Sequence, residues 1–136
     1  MQRIGQITLM VKDYDEAIEF YTKVLAFRLI EDTKRSETKR WVVVAPPGEN
    51  TCHLLLAKAV GEQQVQSIGN QTGGRVFLFL YTDNIDRDYG SLLLYGVKIK
   101  RPPTVADFGK AMVFEDLYGN LIDLIEPKKE SIQKII

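Results

Sequence analysis

The chain has 136 residues, with 18 Lys plus Arg against 18 Asp plus Glu and 45% hydrophobic residues. Zero net charge excludes the basic excess of a nucleic-acid binder or a polybasic membrane anchor, and this apolar content excludes a disordered chain. The length suits one domain, or two small modules sharing a core. Residues 4–11, IGQITLMV, alternate as a strand does, with Ile7, Leu9 and Val11 on one face and Gln6, Thr8 and Met10 on the other. Asp13 and Asp15 are candidate N-caps for a helix over 15–25, where Ala17, Ile18, Tyr21, Val24 and Leu25 recur at helical spacing. A second strand is predicted over 26–31 and a solvated hairpin turn over 32–40. The β-branched run 41–45 is a third strand, PPGEN a turn, and 52–59 a fourth strand.

Residues 60–74 are polar and rich in Gly and Gln, and read as a linker or mobile loop. RVFLFLYT, 75–82, has the apolar, aromatic character of a buried strand. Asn84 or Asp86 caps a helix over 85–96 that stops at Gly96. A strand closed by prolines, 97–103, precedes a loop, 104–110, then a strand over 109–116, the turn DLYGN and a last strand over 121–127. The tail, 128–136, reads as a short helix with an apolar stripe.

A lone cysteine, Cys52, permits no intrachain disulfide and fits a cytoplasmic setting. A lone histidine, His53, excludes any metal site needing two histidines from one chain. The first residues lack a signal peptide's cationic and apolar regions, and no run of 18 apolar residues is present, so no membrane partner is expected. G-x-S-x-G, P-loop and Rossmann fingerprints are absent. Cys52 and His53 are neighbours on a strand and point to opposite faces, which argues against a nucleophile–base pair.

Written as element types, the order is βαβββ, linker, βαβββ, with modules at 1–59 and 75–136. VKDYDEA lines up with YTDNIDR, LAFRLIE with LYGVKIK, and PPGEN with DLYGN, so an internal repeat of about 70 residues organises the chain.

The stretches IGQITLMVKDYDEAIEFYTKVLAF, GRVFLFLYTDNID and VFEDLYGNLIDLIEP, the last with its FxDxxGNxxxL frame, resemble the vicinal oxygen chelate superfamily. That group holds glyoxalase I, extradiol dioxygenases, fosfomycin-resistance proteins and bleomycin-binding proteins. The resemblance implies an α+β fold of two tandem βαβββ modules curling into a cupped mixed sheet around one site. It also implies a homodimer, sometimes with exchanged modules, and a small-molecule partner. Of the four places where metal-binding members carry ligands, this chain has Gln6, His53, Phe77 and Asp123. Phe77 stands where many members have His and cannot bind a metal; Asp123 replaces the usual Glu. The implied cofactor is one divalent metal on Gln6, His53 and Asp123, with Asp123 also the catalytic carboxylate, or none. An N,O,O set suits zinc, nickel, manganese, iron or cobalt. One histidine disfavours the two-histidine dioxygenases and fosfomycin transferases.

Phe77, Phe79 and Tyr81 alternate onto the face equivalent to that of Gln6, Thr8 and Met10, and Trp41 joins them from the third strand. Such a wall suits a planar or hydrophobic ligand, and would serve equally as core packing. Arg101 and Lys110, near a stretch that rims the substrate site in family members, are candidates to receive an anion. Two functions stay open. One is a metal-assisted lyase or isomerase acting on adjacent oxygens. The other is a metal-free protein that sequesters a hydrophobic or aromatic compound.

Overall fold

The computed structural model describes residues 1–129, and the tail helix predicted over 128–136 lies outside that range from residue 130 onward. The chain divides into two compact units, Met1–Gln71 and Thr72–Ile136. In the first, β1 (Gln6–Val11), α1 (Tyr14–Glu19), β2 (Arg28–Lys34), β3 (Arg40–Ala45) and β4 (His53–Lys58) form a sheet of order β1-β4-β3-β2 beneath one helix. A short helix, α2 (Glu62–Ser67), follows. In the second, β5 (Val76–Tyr81), α3 (Ile85–Leu94), β6 (Ile99–Ala106), β7 (Gly109–Glu115) and β8 (Leu121–Pro127) repeat the plan in the order β5-β8-β7-β6. In each unit the first and last strands pair in parallel and the other ladders are antiparallel. This is the α+β, twice βαβββ architecture expected from the sequence.

Each core forms where alternate strand residues meet the helix. Leu9, Val11, Val42, Val44, Leu54 and Leu56 are buried in the first sheet, with Tyr14 and Ala17 of α1. In the second, Met112, Phe114, Ile122 and Leu124 are buried with Ile85 and Leu92 of α3. Each helix starts as its sequence dictates: Asp13 Oδ2 accepts from the Glu16 amide at 2.9 Å, and Asn84 Oδ1 from the Arg87 amide at 3.0 Å. Glu126 of β8 adds a second N-terminal acceptor, taking the Ile85 amide at 2.9 Å.

Four departures from the predicted elements have local causes. The first helix is not continuous: α1 passes into a π-helical turn, Phe20–Val24, which inserts one residue before the chain reverses. That residue displaces the expected match of LAFRLIE to LYGVKIK by one. The left-handed position is Ala26 (φ 60°) in the first unit and Gly96 (φ 69°) in the second. Strand β2 therefore begins later, at Arg28, and runs to Lys34, leaving only 35–39 as the turn.

The segment 60–74 is not a bare loop, because it holds α2 and is pinned where the Val60 amide donates to Gln64 Oε1 at 2.9 Å. Finally, β6 runs through Pro102 and Pro103 to Ala106, where a loop was predicted. It is an edge strand, and its register shifts between Arg101 and Thr104, so neither proline costs an inner-ladder bond.

The DLYGN turn explains the most specific sequence frame. Asp116 and Asn120 are buried; Asp116 Oδ1 accepts from the Tyr118 and Asn120 amides, and Oδ2 from Asn120 Nδ2, each at 2.9 Å. At Gly109, φ is 142° and an added Cβ would lie 2.1 Å from the Glu126 carbonyl oxygen. Gly109→Ala is expected to lose about 2–3 kcal/mol in chemical denaturation. Ala26→Gly, which relieves a left-handed alanine, is expected to gain about 0.5–1 kcal/mol in the same measurement.

Candidate functional site

Two sheet faces, one per unit, carry the side chains that the helices do not use. In β1, Leu9 and Val11 are buried, which turns Gln6, Thr8 and Met10 to the opposite face. The parallel ladder sets Gln6 level with His53, Thr8 with Leu55 and Met10 with Ala57. Val43 opposes Leu55 on the next strand, so Trp41 falls further along the same face. Arg35 of the same hairpin lies 5.9 Å from the Trp41 ring centroid, and its guanidinium also reaches Glu31 at 3.6 Å. Arg35 and Glu31 were not singled out from the sequence, since only the hairpin register brings them to Trp41.

In the second unit, Phe79 opposes Asp123, Asp123 opposes Val113, and Val113 opposes Arg101, which makes one row across all four strands. Tyr81 stands beside that row, opposite Ile125. Phe79 and Tyr81 are 62% and 52% exposed, so neither is core packing. Phe77 differs from them. It is the extra residue of a β-bulge, between the pairs Val76–Leu121 and Leu78–Ile122, and it is half-buried. The expected row of three aromatics is thus an exposed pair. Lys110 does not join Arg101, because its Nζ reaches Asp86 of α3 at 3.5 Å.

Asp123 is the unusual group on this face. Its Oδ1 is buried and has no hydrogen-bond partner among the described residues. Desolvation raises its pKa above the ordinary Asp value, and the positive charge of Arg101 opposes that rise only in part. A buried carboxylate oxygen without a donor is costly, which raises the proton affinity of Asp123 and leaves that oxygen able to take a donor from outside.

The donor types implied for a metal are divided between the units. Gln6 and His53 lie level on one ladder, and Asp123 belongs to the other sheet. Phe77, seven residues ahead of the Asn84 cap as Gln6 is of Asp13, fills the fourth place with an apolar ring. Among the described residues no three His, Cys, Asp or Glu side chains form a metal-holding group. The three donors match a divalent ion in kind, and neither unit alone supplies all three.

A family model for the Glyoxalase/Bleomycin resistance protein/Dioxygenase superfamily matches residues 3–124. The chain belongs to that superfamily. An uncharacterized protein of Shewanella frigidimarina (strain NCIMB 400) is 58% identical to this superfamily chain over 126 residues, covering 92% of this chain and 93% of that one. The crystal structure of UcmS2 is similar at 28% identity and a TM-score of 0.79, over 92% of this chain and 98% of that one. TnmS3, described as an antibiotic binding protein from Streptomyces sp. CB03234, is similar at 27% identity and a TM-score of 0.74, over 94% and 98%. No helix among the described residues is long and apolar enough to cross a membrane.

The raised pKa of Asp123 has a fixed thermodynamic sign. The unfolded chain loses this proton at lower pH than the folded chain, so folding stability falls as pH rises from the unfolded to the folded pKa. Asp123→Asn is expected to remove that part of the pH dependence, as read from denaturation midpoints across the carboxylate range.

Proposed function

We propose that this superfamily member binds and sequesters a small planar aromatic compound bearing a hydrogen-bond donor. The reading rests on one observation: two exposed aromatic rings, Phe79 and Tyr81, stand beside a carboxyl oxygen of Asp123 that is buried and has no partner among the described residues. A solvated ring pair on a sheet offers a stacking surface, and a donor on the ligand would satisfy the oxygen, whose isolation costs about 1–3 kcal/mol. The likeness to an antibiotic binding protein at 27% identity supports this reading. Thr8, Met10 and Trp41 of the first unit, with Phe77, belong to the same proposal as further ligand-facing side chains. A homodimer, implied by the resemblance, and a cytoplasmic setting, favoured by the free Cys52, complete it.

A second reading keeps a divalent metal on Gln6, His53 and Asp123. It is favoured by the level pairing of Gln6 with His53 and by the unpartnered Asp123 oxygen. Such an ion would supply a Lewis acid for a substrate carbonyl, in a lyase or isomerase reaction.

Fluorescence titration with 9-aminoacridine, a planar cation, and with acridine-9-carboxylate, its anionic counterpart, tests the binding reading. The cation is expected to bind more tightly. Phe79→Ala should weaken both probes about tenfold, and Asp123→Asn should weaken the cation alone by a similar factor. Folded variants that bind as the wild type does would refute the reading. For the metal, the protein is exposed to nickel, zinc, manganese, iron and cobalt and then analysed for bound ion. Stoichiometric metal that is lost in both His53→Ala and Asp123→Ala supports that reading, and no bound metal defeats it.

A further inference from the structure

β1 is an edge strand of the first sheet, yet its outer side is not bare. The residues pairing inward are odd-numbered: the Gly5 and Val11 carbonyls accept from the His53 and Ala59 amides of the β4 segment, each at 2.9 Å. Thr8 and Met10 therefore turn their backbone groups outward. Gln71, the last residue of the first unit, meets them there. The Met10 amide donates to Gln71 Oε1 at 3.1 Å, and Gln71 Nε2 donates to the Thr8 carbonyl at 3.3 Å.

That pattern has a specific meaning. In a parallel ladder, one residue of the neighbouring strand gives its N–H to the carbonyl before the residue it faces and takes the N–H of the residue after. The Gln71 side chain does both around Leu9, using one planar amide in place of a peptide. A glutamine has the necessary donor and acceptor on one group. The contact spans more than 60 positions in sequence, so it also fixes where the segment after α2 returns to the sheet.

We infer that Gln71 is a positioning residue that stands in for a missing strand beside β1, holding the backbone that presents Thr8 and Met10. The backbone clamp is read from hydrogen bonds alone. Its consequence for ligand binding rests on the proposed reading of that face as ligand-facing.

Amide hydrogen exchange by NMR tests the clamp on the intact chain, without a ligand. In Gln71→Ala, Met10 amide protection is expected to fall about threefold to tenfold, while Leu9 and Val11 keep theirs. Gln71→Glu keeps an acceptor for Met10 but sets a carboxylate against the Thr8 carbonyl, so it should lose protection at neutral pH. Protonation of that carboxyl restores a donor beside an acceptor, so its Met10 protection, corrected for intrinsic exchange, should return in acid; a general packing role would show no such recovery. Unchanged Met10 protection in Gln71→Ala, or no acid recovery in Gln71→Glu, overturns the clamp.

In parallel, 9-aminoacridine affinity at neutral pH should weaken about threefold in both variants if the clamp serves the ligand face. Loss of Met10 protection with wild-type affinity removes that consequence and leaves the clamp standing. A wild type that fails to bind either acridine defeats the ligand reading, and exchange still decides the clamp.

Discussion

Both candidate faces depend on the parallel ladder that joins the first and last strands of each unit. A parallel pair cannot close through a tight turn and needs a long crossover, which in each unit is made of a helix and two strands. The helix then has to cover one side of the sheet, and α1 and α3 do so over Leu54 and Leu56, and over Ile122 and Leu124. With a strand period of two, the alternate residues are driven to the uncovered side. That single constraint sets Gln6 level with His53 and Phe79 level with Asp123. Neither pair lies close in sequence.

The same constraint explains what the sequence could reveal. Strand alternation, helix caps and the repeat are local patterns, and Asp13, Asn84, β1, β7 and β8 are legible from them. The one-residue insertions are not. The π-helical turn before Ala26 and the bulge at Phe77 leave composition unchanged while shifting the register of the residues beyond them, so one blurred the repeat's wording and the other broke the predicted aromatic row. The prolines in β6 read as a strand end, because edge position is a property of topology. Gln71 and Arg35 were hidden for the same reason: their partners are set by register, and a polar linker residue gives no hint that it will replace a strand.

Two carboxylates in the second unit separate structure from chemistry. Asp116 accepts three hydrogen bonds within its own turn, and its burial is compensated by a tight DxxGN loop. Such a group is satisfied and has little left to offer a ligand. Asp123, seven residues on, has a buried oxygen with no such compensation among the described residues, and its proton affinity is raised accordingly. A fold can carry an uncompensated polar atom where something outside the chain completes it, and unsatisfied atoms of this kind concentrate at functional sites.

The two units share a scaffold but not a surface. The first presents an amide beside an imidazole, and the second an aromatic ring beside a carboxyl, at neighbouring places on the same ladder type. A symmetric set of metal donors would have made the two faces alike. Here Phe77, seven residues ahead of the Asn84 cap as Gln6 is of Asp13, is the extra residue of a bulge, and the exposed Phe79 and Tyr81 follow on the same strand. A bulge re-aims the strand beyond it. Phe77 offers a metal no donor atom, and it sits at the head of the strand that exposes Phe79 and Tyr81. An apolar ring at that place and two exposed aromatic rings beyond it are therefore features of one strand, which is the physical ground for proposing binding ahead of metal catalysis in this chain.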